Sequence, residues 1–159
     1  MNARVLMAAG IVIAIGAWIY LNAFSTPENG PGMKTFSCAT LPGITFNFPV
    51  FNGWSVQGEP VSVSPNECRV TFNAPQGVDL YEPVVLSVKK EPPITAFPRA
   101  AQKNPNGIPF VVGVPEMDHA YFHLTSYGVS VRVLNPATLN GFYVDQFIKT
   151  VIDSFNAPG

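Results

Sequence analysis

The residues from Val5 to Phe24, VLMAAGIVIAIGAWIYLNAF, form an almost unbroken apolar run without a charged side chain, and Asn22 is its one strongly polar member. A helix rises ~1.5 Å per residue, so about 20 such residues match the ~30 Å hydrocarbon core of a bilayer. The run predicts a single transmembrane helix at residues 1–24, a signal-anchor whose partner is the lipid bilayer through residues 5–24. Trp18 and Tyr20 suit the water–lipid boundary, where amphipathic rings collect. Arg4 on the short side predicts a cytoplasmic amino terminus and an extracytoplasmic remainder in a single-pass membrane protein. Gly10 and Ala14 form a small-xxx-small pair that would let two anchors approach closely. The alternative is a signal peptide cleaved near Ala23, releasing a secreted domain. Leu21 would then occupy a position where cleavage prefers a small residue, and the apolar stretch exceeds the usual ~7–15 residues of a signal centre.

Composition narrows the remainder. The chain carries nine basic and ten acidic residues, a net charge of −1. Lys89–Lys90 is the only adjacent pair of basic residues, and Glu91 follows it, so the basic patch that a nucleic-acid binder needs is missing. No nucleic-acid partner is expected. Sixteen Pro and thirteen Gly imply many turns and few long helices. Both cysteines, Cys38 and Cys68, lie beyond the apolar run, in sequence that would enter an oxidising compartment. A bridge between them closes a loop of about 30 residues, worth roughly 3–4 kcal/mol in the chain-entropy account. Two buried free thiols are the alternative. A metal site is the poorer reading, because neither Cys has a Cys or His at close ligand spacing.

Ser25–Gly32, STPENGPG, reads as a flexible linker at residues 25–32, followed by one extracytoplasmic domain at residues 33–159. Strands are expected at Met33–Ala39 and at Ile44–Val50, where Ile44, Phe46 and Phe48 alternate with Thr45 and Asn47. Further strands are expected within Trp54–Val63, around Cys68–Phe72 and at Val84–Lys90, the last ended by Pro92–Pro93. Ile94–Gly107 reads as irregular or as one short helix around Arg99–Lys103. Ile108–Val114 is a bounded apolar run. His119–Thr125 and Val129–Leu134 flank Ser126–Tyr127–Gly128, a hairpin signal. After Asn140, a plausible helix cap, Val144, Phe147, Ile148, Val151, Ile152 and Phe155 recur as a helical stripe that should lie on a sheet. Asp145 and Lys149 form an expected i,i+4 pair, and Pro158–Gly159 should end the helix. A mostly antiparallel sheet closed by one carboxyl-terminal helix is an α+β domain.

Phe48–Pro49 followed by Gly53–Trp54 resembles the opening of PsbP-like domains, and Val151–Ile152–Asp153–Ser154–Phe155 resembles their closing helix. The resemblance covers about residues 36–155. It implies a curved antiparallel sheet with helices on its faces and an accessory or binding role, and it transfers no catalytic residue. The order Cys38, Trp54, Cys68 also admits an all-β sandwich of immunoglobulin type, although the cysteines are too close in sequence for that family.

Few residues suggest chemistry. His119 and His123 are the only histidines, with Glu116 and Asp118 beside them, and these four are the candidate metal ligands. On a strand an i,i+4 pair is about 13 Å apart, too far for one ion unless the segment bends. Glu59, Glu67, Asp79 and Glu82 lie in turn-rich segments, where acidic residues are usually solvated. No nucleophile elbow and no phosphate-binding glycine loop occurs, so neither a catalytic residue nor a cofactor is assigned. Phe51, Tyr81, Phe97, Phe110 and Tyr121 lie in or beside loops, where large rings could line a partner groove. Two functions follow. The favoured one is a membrane-anchored extracytoplasmic binding or accessory module that mediates a protein interaction in a cell-envelope complex. The other is a small metal-assisted hydrolase using His119 and His123. A groove or flat patch would favour the first, and convergent His and carboxylate side chains in a pocket the second.

Overall fold

A computed structural model describes residues 32–113, 118–136 and 141–158 of the 159-residue chain. All of them fall within one compact unit, Pro31–Gly159. The anchor Val5–Phe24 with Trp18 and Tyr20, the cleavage position Ala23, residues 25–31 of the linker, Glu116 and the cap Asn140 lie outside the described residues.

Alternation of apolar and polar side chains builds ten strands. They are β1 (Gly32–Phe36), β2 (Phe46–Val50), β3 (Ser55–Val56), β4 (Val61–Ser64), β5 (Glu67–Asn73), β6 (Val84–Glu91), β7 (Gln102–Lys103), β8 (Pro109–Val112), β9 (His119–His123) and β10 (Gly128–Leu134). One helix, α1 (Val144–Ser154), follows. Strands β1 and β2 pair antiparallel as a small sheet, with Phe36 opposite Phe46 and Gly32, placed in the linker by the sequence, already opposite Val50. The other eight form one antiparallel sheet in the order β3-β5-β6-β10-β9-β8-β7, with β4 also on β5.

This corrects the α+β expectation. The described residues form a mainly antiparallel β domain with a single eleven-residue helix, and none of their helices is long and apolar enough to cross a membrane. The sandwich fits no better, because the layer facing the large sheet is shared between a two-stranded sheet and a helix. The expected short helix around Arg99–Lys103 is instead a turn leading into β7. Ala101 N–H closes back on the Pro98 carbonyl at 3.1 Å, within a stretch that Pro92, Pro93 and Pro98 keep from continuing as helix.

The core lies between the layers. Val70, Phe72, Leu86, Val88, Ala120, Phe122, Val129, Val131 and Val133 point to one face of the large sheet and are fully or almost fully buried. Against them pack Val144, Phe147, Ile148 and Val151 of α1, the predicted stripe. Phenylalanines join the layers: Phe155 stacks on Phe122 at 3.6 Å between centroids and on Phe46 at 6.1 Å, while Phe48 meets Phe72 edge-on at 5.9 Å. Burying one such ring is worth roughly 1.5–3 kcal/mol. Gly53, at φ 81, turns the chain so that Trp54 enters this core against Phe142.

Cys38 and Cys68 are bridged, as the sequence predicts, with their Cα atoms 6.6 Å apart. The bridge ties the segment after β1 to the start of β5, and the Thr40 hydroxyl lies 3.0 Å from Cys68 Sγ.

Candidate binding groove

Helix α1 ends without a glycine cap: Phe155 is extended at φ −61, ψ 129, and the chain returns to bridge Asn156 with Thr45. The helix therefore stops before the predicted Pro158–Gly159, and its last carbonyls need partners. Asn104, the one buried polar residue among those described, supplies them. Its Nδ2 donates to the carbonyls of Ile152 (3.2 Å) and Phe155 (2.8 Å), while its Oδ1 accepts from the N–H groups of Asn106 (3.1 Å) and Ile108 (2.9 Å). Asn106 Nδ2 adds a bond to the Phe155 carbonyl at 2.9 Å. The turn between β7 and β8 is thereby fastened to the end of α1.

That attachment leaves a groove of about 370 Å3 between α1 and the sheet edge. Its floor is apolar, made by Phe110, Val112, Ile148 and Ile152, and Asp145, Lys149 and Asp153 line the helix side with Gln102 opposite. Lys149 Nζ donates to Asp153 Oδ2 at 2.6 Å, not to the expected Asp145, which makes no ion pair among the described residues. A second hollow of about 310 Å3, lined by Pro98, Ala101 and Val111, shares Gln102, Phe110 and Val112 with the first.

The strand beneath is incompletely covered. Asn104 N–H bonds to the Ile108 carbonyl, and Phe110 pairs with Gln102, so even-numbered residues of β8 direct their backbone groups toward β7. Gly113 N–H bonds the other way, to the His119 carbonyl at 3.3 Å. Backbone groups alternate sides along an antiparallel strand, so the N–H and C=O of Val112 point outward past the end of two-residue β7. Among the described residues no strand pairs with the outward groups of Val112, and this stretch of edge, an apolar floor and a charged rim meet at one place.

The histidines meet no such convergence. Both stand on the outer face of β9, as predicted, separated by Tyr121. His119 Nδ1 bonds Asp118 Oδ1 at 2.6 Å, and its ring covers Gly113, where no Cβ would fit. Arg132 Nε and Nη2 reach Asp118 Oδ2 at 3.1 and 3.0 Å. Burial alone would push the Asp118 carboxyl up, but the hydrogen bonds from His119 and Arg132 and the Arg132 charge hold it below the ordinary carboxylate range. His123 instead stacks on Phe97 at 4.5 Å, and its buried Nδ1 has no hydrogen-bond partner among the described residues. Among the described residues no three His, Cys, Asp or Glu side chains come together as a metal site.

The remaining candidates scatter. Glu67 is bound by Arg69 Nε (2.7 Å) and the Ser87 hydroxyl (3.0 Å), while Glu59, Asp79 and Glu82 are exposed. Of the five aromatics, only Phe110 lines the groove. Phe51 is buried against Phe142, Tyr121 is buried with its hydroxyl donating to the Pro92 carbonyl and accepting from Ile94 N–H, and Tyr81 is fully exposed. Burial pushes the Tyr121 phenol up, against the lowering effect of the Ile94 bond. The roles of Asn104 and Gln102 were beyond sequence reading, since a two-residue strand and a cap from some 50 residues away leave no local pattern, whereas Val112 falls in the apolar run Ile108–Val114.

No family model, curated protein or solved structure matches this chain.

Proposed function

We propose that this chain is a binding or accessory module of the extracytoplasmic space that holds a partner protein in the groove between α1 and the Val112 end of β8. The observation that carries the reading is the meeting of free strand edge, apolar floor and charged rim at that one place. The Cys38–Cys68 bridge suits an oxidising compartment. The apolar run at residues 5–24 supplies the link to the bilayer, with the amino terminus on the cytoplasmic side, and cleavage near Ala23 is the alternative. The resemblance to PsbP-like domains points to the same accessory role in an envelope complex.

Metal-assisted hydrolysis is the weaker reading, because His119 is engaged by Asp118 and His123 by Phe97. Calorimetric titration with zinc should give no binding heat.

The direct test places a photo-crosslinking side chain at exposed Gln102 or, as a control, at exposed Tyr81, in protein kept in its native membrane. A defined adduct from Gln102 alone is expected. Identical adducts from both positions, or none from Gln102, would overturn the assignment of the groove.

A further inference from the structure

The chemistry of the groove specifies its occupant, an argument that rests on the functional reading just given. We infer that it takes an extended peptide that adds as a strand to the Val112 end of β8, with one apolar side chain on the groove floor and a lysine or arginine two residues to either side.

Three observations lead there. Phe110 and Val112 share one strand face, and only Phe110 has its outward backbone groups covered, by Gln102. A helix cannot satisfy the N–H and C=O of Val112, because its own backbone groups are used internally, whereas an added strand can. The floor of Phe110, Val112, Ile148 and Ile152 is concave and holds about 370 Å3, near the lower end of the ~300–1,000 Å3 typical of ligand pockets, so it suits a single large aliphatic side chain and its neighbours.

The rim supplies the charge. Asp145, Asp153 and Lys149 leave one net negative charge over the groove, and Asp145 is the carboxylate with no ion-pair partner among the described residues. Asp145 and Asp153 stand eight residues apart on α1, ~12 Å along its axis. In an extended chain, residues four apart lie on the same face and span about 13 Å. Cationic side chains two residues before and after the apolar one therefore span a length close to the axial separation of the two carboxylates. Arrival of the first cation satisfies Asp145, and the second competes with Lys149 for Asp153.

The probe is the blocked heptapeptide Thr-Lys-Thr-Leu-Thr-Lys-Thr, labelled for fluorescence anisotropy and titrated against the full-length protein in detergent. Binding is expected in the micromolar range, weakening about tenfold when both lysines become glutamates and about tenfold in the Asp145→Lys protein, as expected for a few rim charges. Asp145 is exposed, so that substitution leaves the core untouched. Stepwise N-methylation should abolish binding at one residue only, the one opposite Val112, because Phe110 is already paired with Gln102 and a single N–H of the added strand meets an open carbonyl of β8. Equal binding of the lysine and glutamate peptides, indifference to N-methylation, or no binding up to about 5 mM, ~3 kcal/mol on the affinity scale, overturns the inference. A Gln102 adduct that survives such a failure keeps the groove as the binding site and removes only this occupant, whereas loss of the adduct as well removes both.

Discussion

The two edges of the large sheet are built on opposite terms. At one, β5 is flanked by β3 along Phe72–Asn73 and by β4 along Glu67–Arg69, and Cys68 near its start is covalently tied to Cys38. At the other, β8 has only the two residues of β7 beside it, and the attachment is the non-covalent one of Asn104 and Asn106 to the end of α1. An uncovered edge is a site where another chain can add. The contrast teaches that the domain braces one side of its sheet covalently, while on the other Val112 stands over an apolar floor with no described strand paired beyond the end of β7. The prolines around the braced β4, Pro60 and Pro65, limit that strand to four residues and discourage pairing there.

Phe155→Ala should damage this arrangement most. The ring is fully buried between Phe46 and Phe122, and large-to-small changes of a core phenylalanine cost about 3–5 kcal/mol. Its carbonyl also receives Asn104 and Asn106, so the open edge should lose hydrogen-exchange protection before the braced one. Urea denaturation gives the total, and a loss under about 1 kcal/mol would show that the layers are not joined through this ring.

Removing the bridge with paired Cys38→Ala and Cys68→Ala changes should cost roughly 3–4 kcal/mol, mainly by freeing the unfolded chain. Here the effect should be reversed in space: β3, β4 and β5 lose protection while peptide binding at β8 persists. Equal loss at both edges would erase the distinction between them. Asn104→Ala comes next, at about 1–3 kcal/mol, because it removes the donor to the Ile152 carbonyl, one of the two donors to the Phe155 carbonyl and the acceptor for the N–H groups of Asn106 and Ile108. It should also widen the groove, seen as weaker binding of the lysine peptide in protein that remains folded. Unchanged affinity would mean that the turn is not what shapes the floor.

The braced edge was far more legible in the sequence than the open one. Alternation in Glu67–Asn73 and Val84–Glu91 predicts strands, the spacing from Val144 to Val151 predicts the buried face of α1, and two cysteines in an exported segment predict their own pairing. Each of these signals is local or involves a rare residue type. At the open edge the determinants are distant pairs. Gln102 becomes strand only because Phe110 is opposite it, and Asn104 becomes a helix cap only once the chain has returned 48 residues later. Arg99–Lys103 carries a reasonable helix propensity that tertiary pairing overrides. The helix start was missed for a related reason: Tyr143 occupies the cap position with no side-chain bond, and its ring instead meets Phe51 at 5.4 Å, so packing rather than capping sets the entry of the chain.

The smallest expected effect is electrostatic, and it compares the edges through a pair of carboxylates. Glu67 on β5 and Asp118 before β9 are both held below their ordinary range despite burial, Glu67 by Arg69 and Ser87 and Asp118 by His119 and Arg132. A carboxyl depressed in the folded state contributes stability above its unfolded value, ~3.9 for Asp, and that contribution disappears as pH falls through the folded value. Asp118→Asn should therefore lower stability by about 1 kcal/mol or less at neutral pH, with the difference vanishing as the pH is taken well below 4. Glu67→Gln should behave alike in stability, and urea midpoints across pH will show whether either difference persists in acid, which would deny the assignment. The two should part company in binding. Asp118 orients His119 across Gly113, the residue next to Val112, whereas Glu67 orients groups beside the covered β4. Only Asp118→Asn should therefore alter affinity for the lysine peptide. If both variants or neither do so, the open edge is not supported by its neighbouring ion cluster and depends on Asn104 alone.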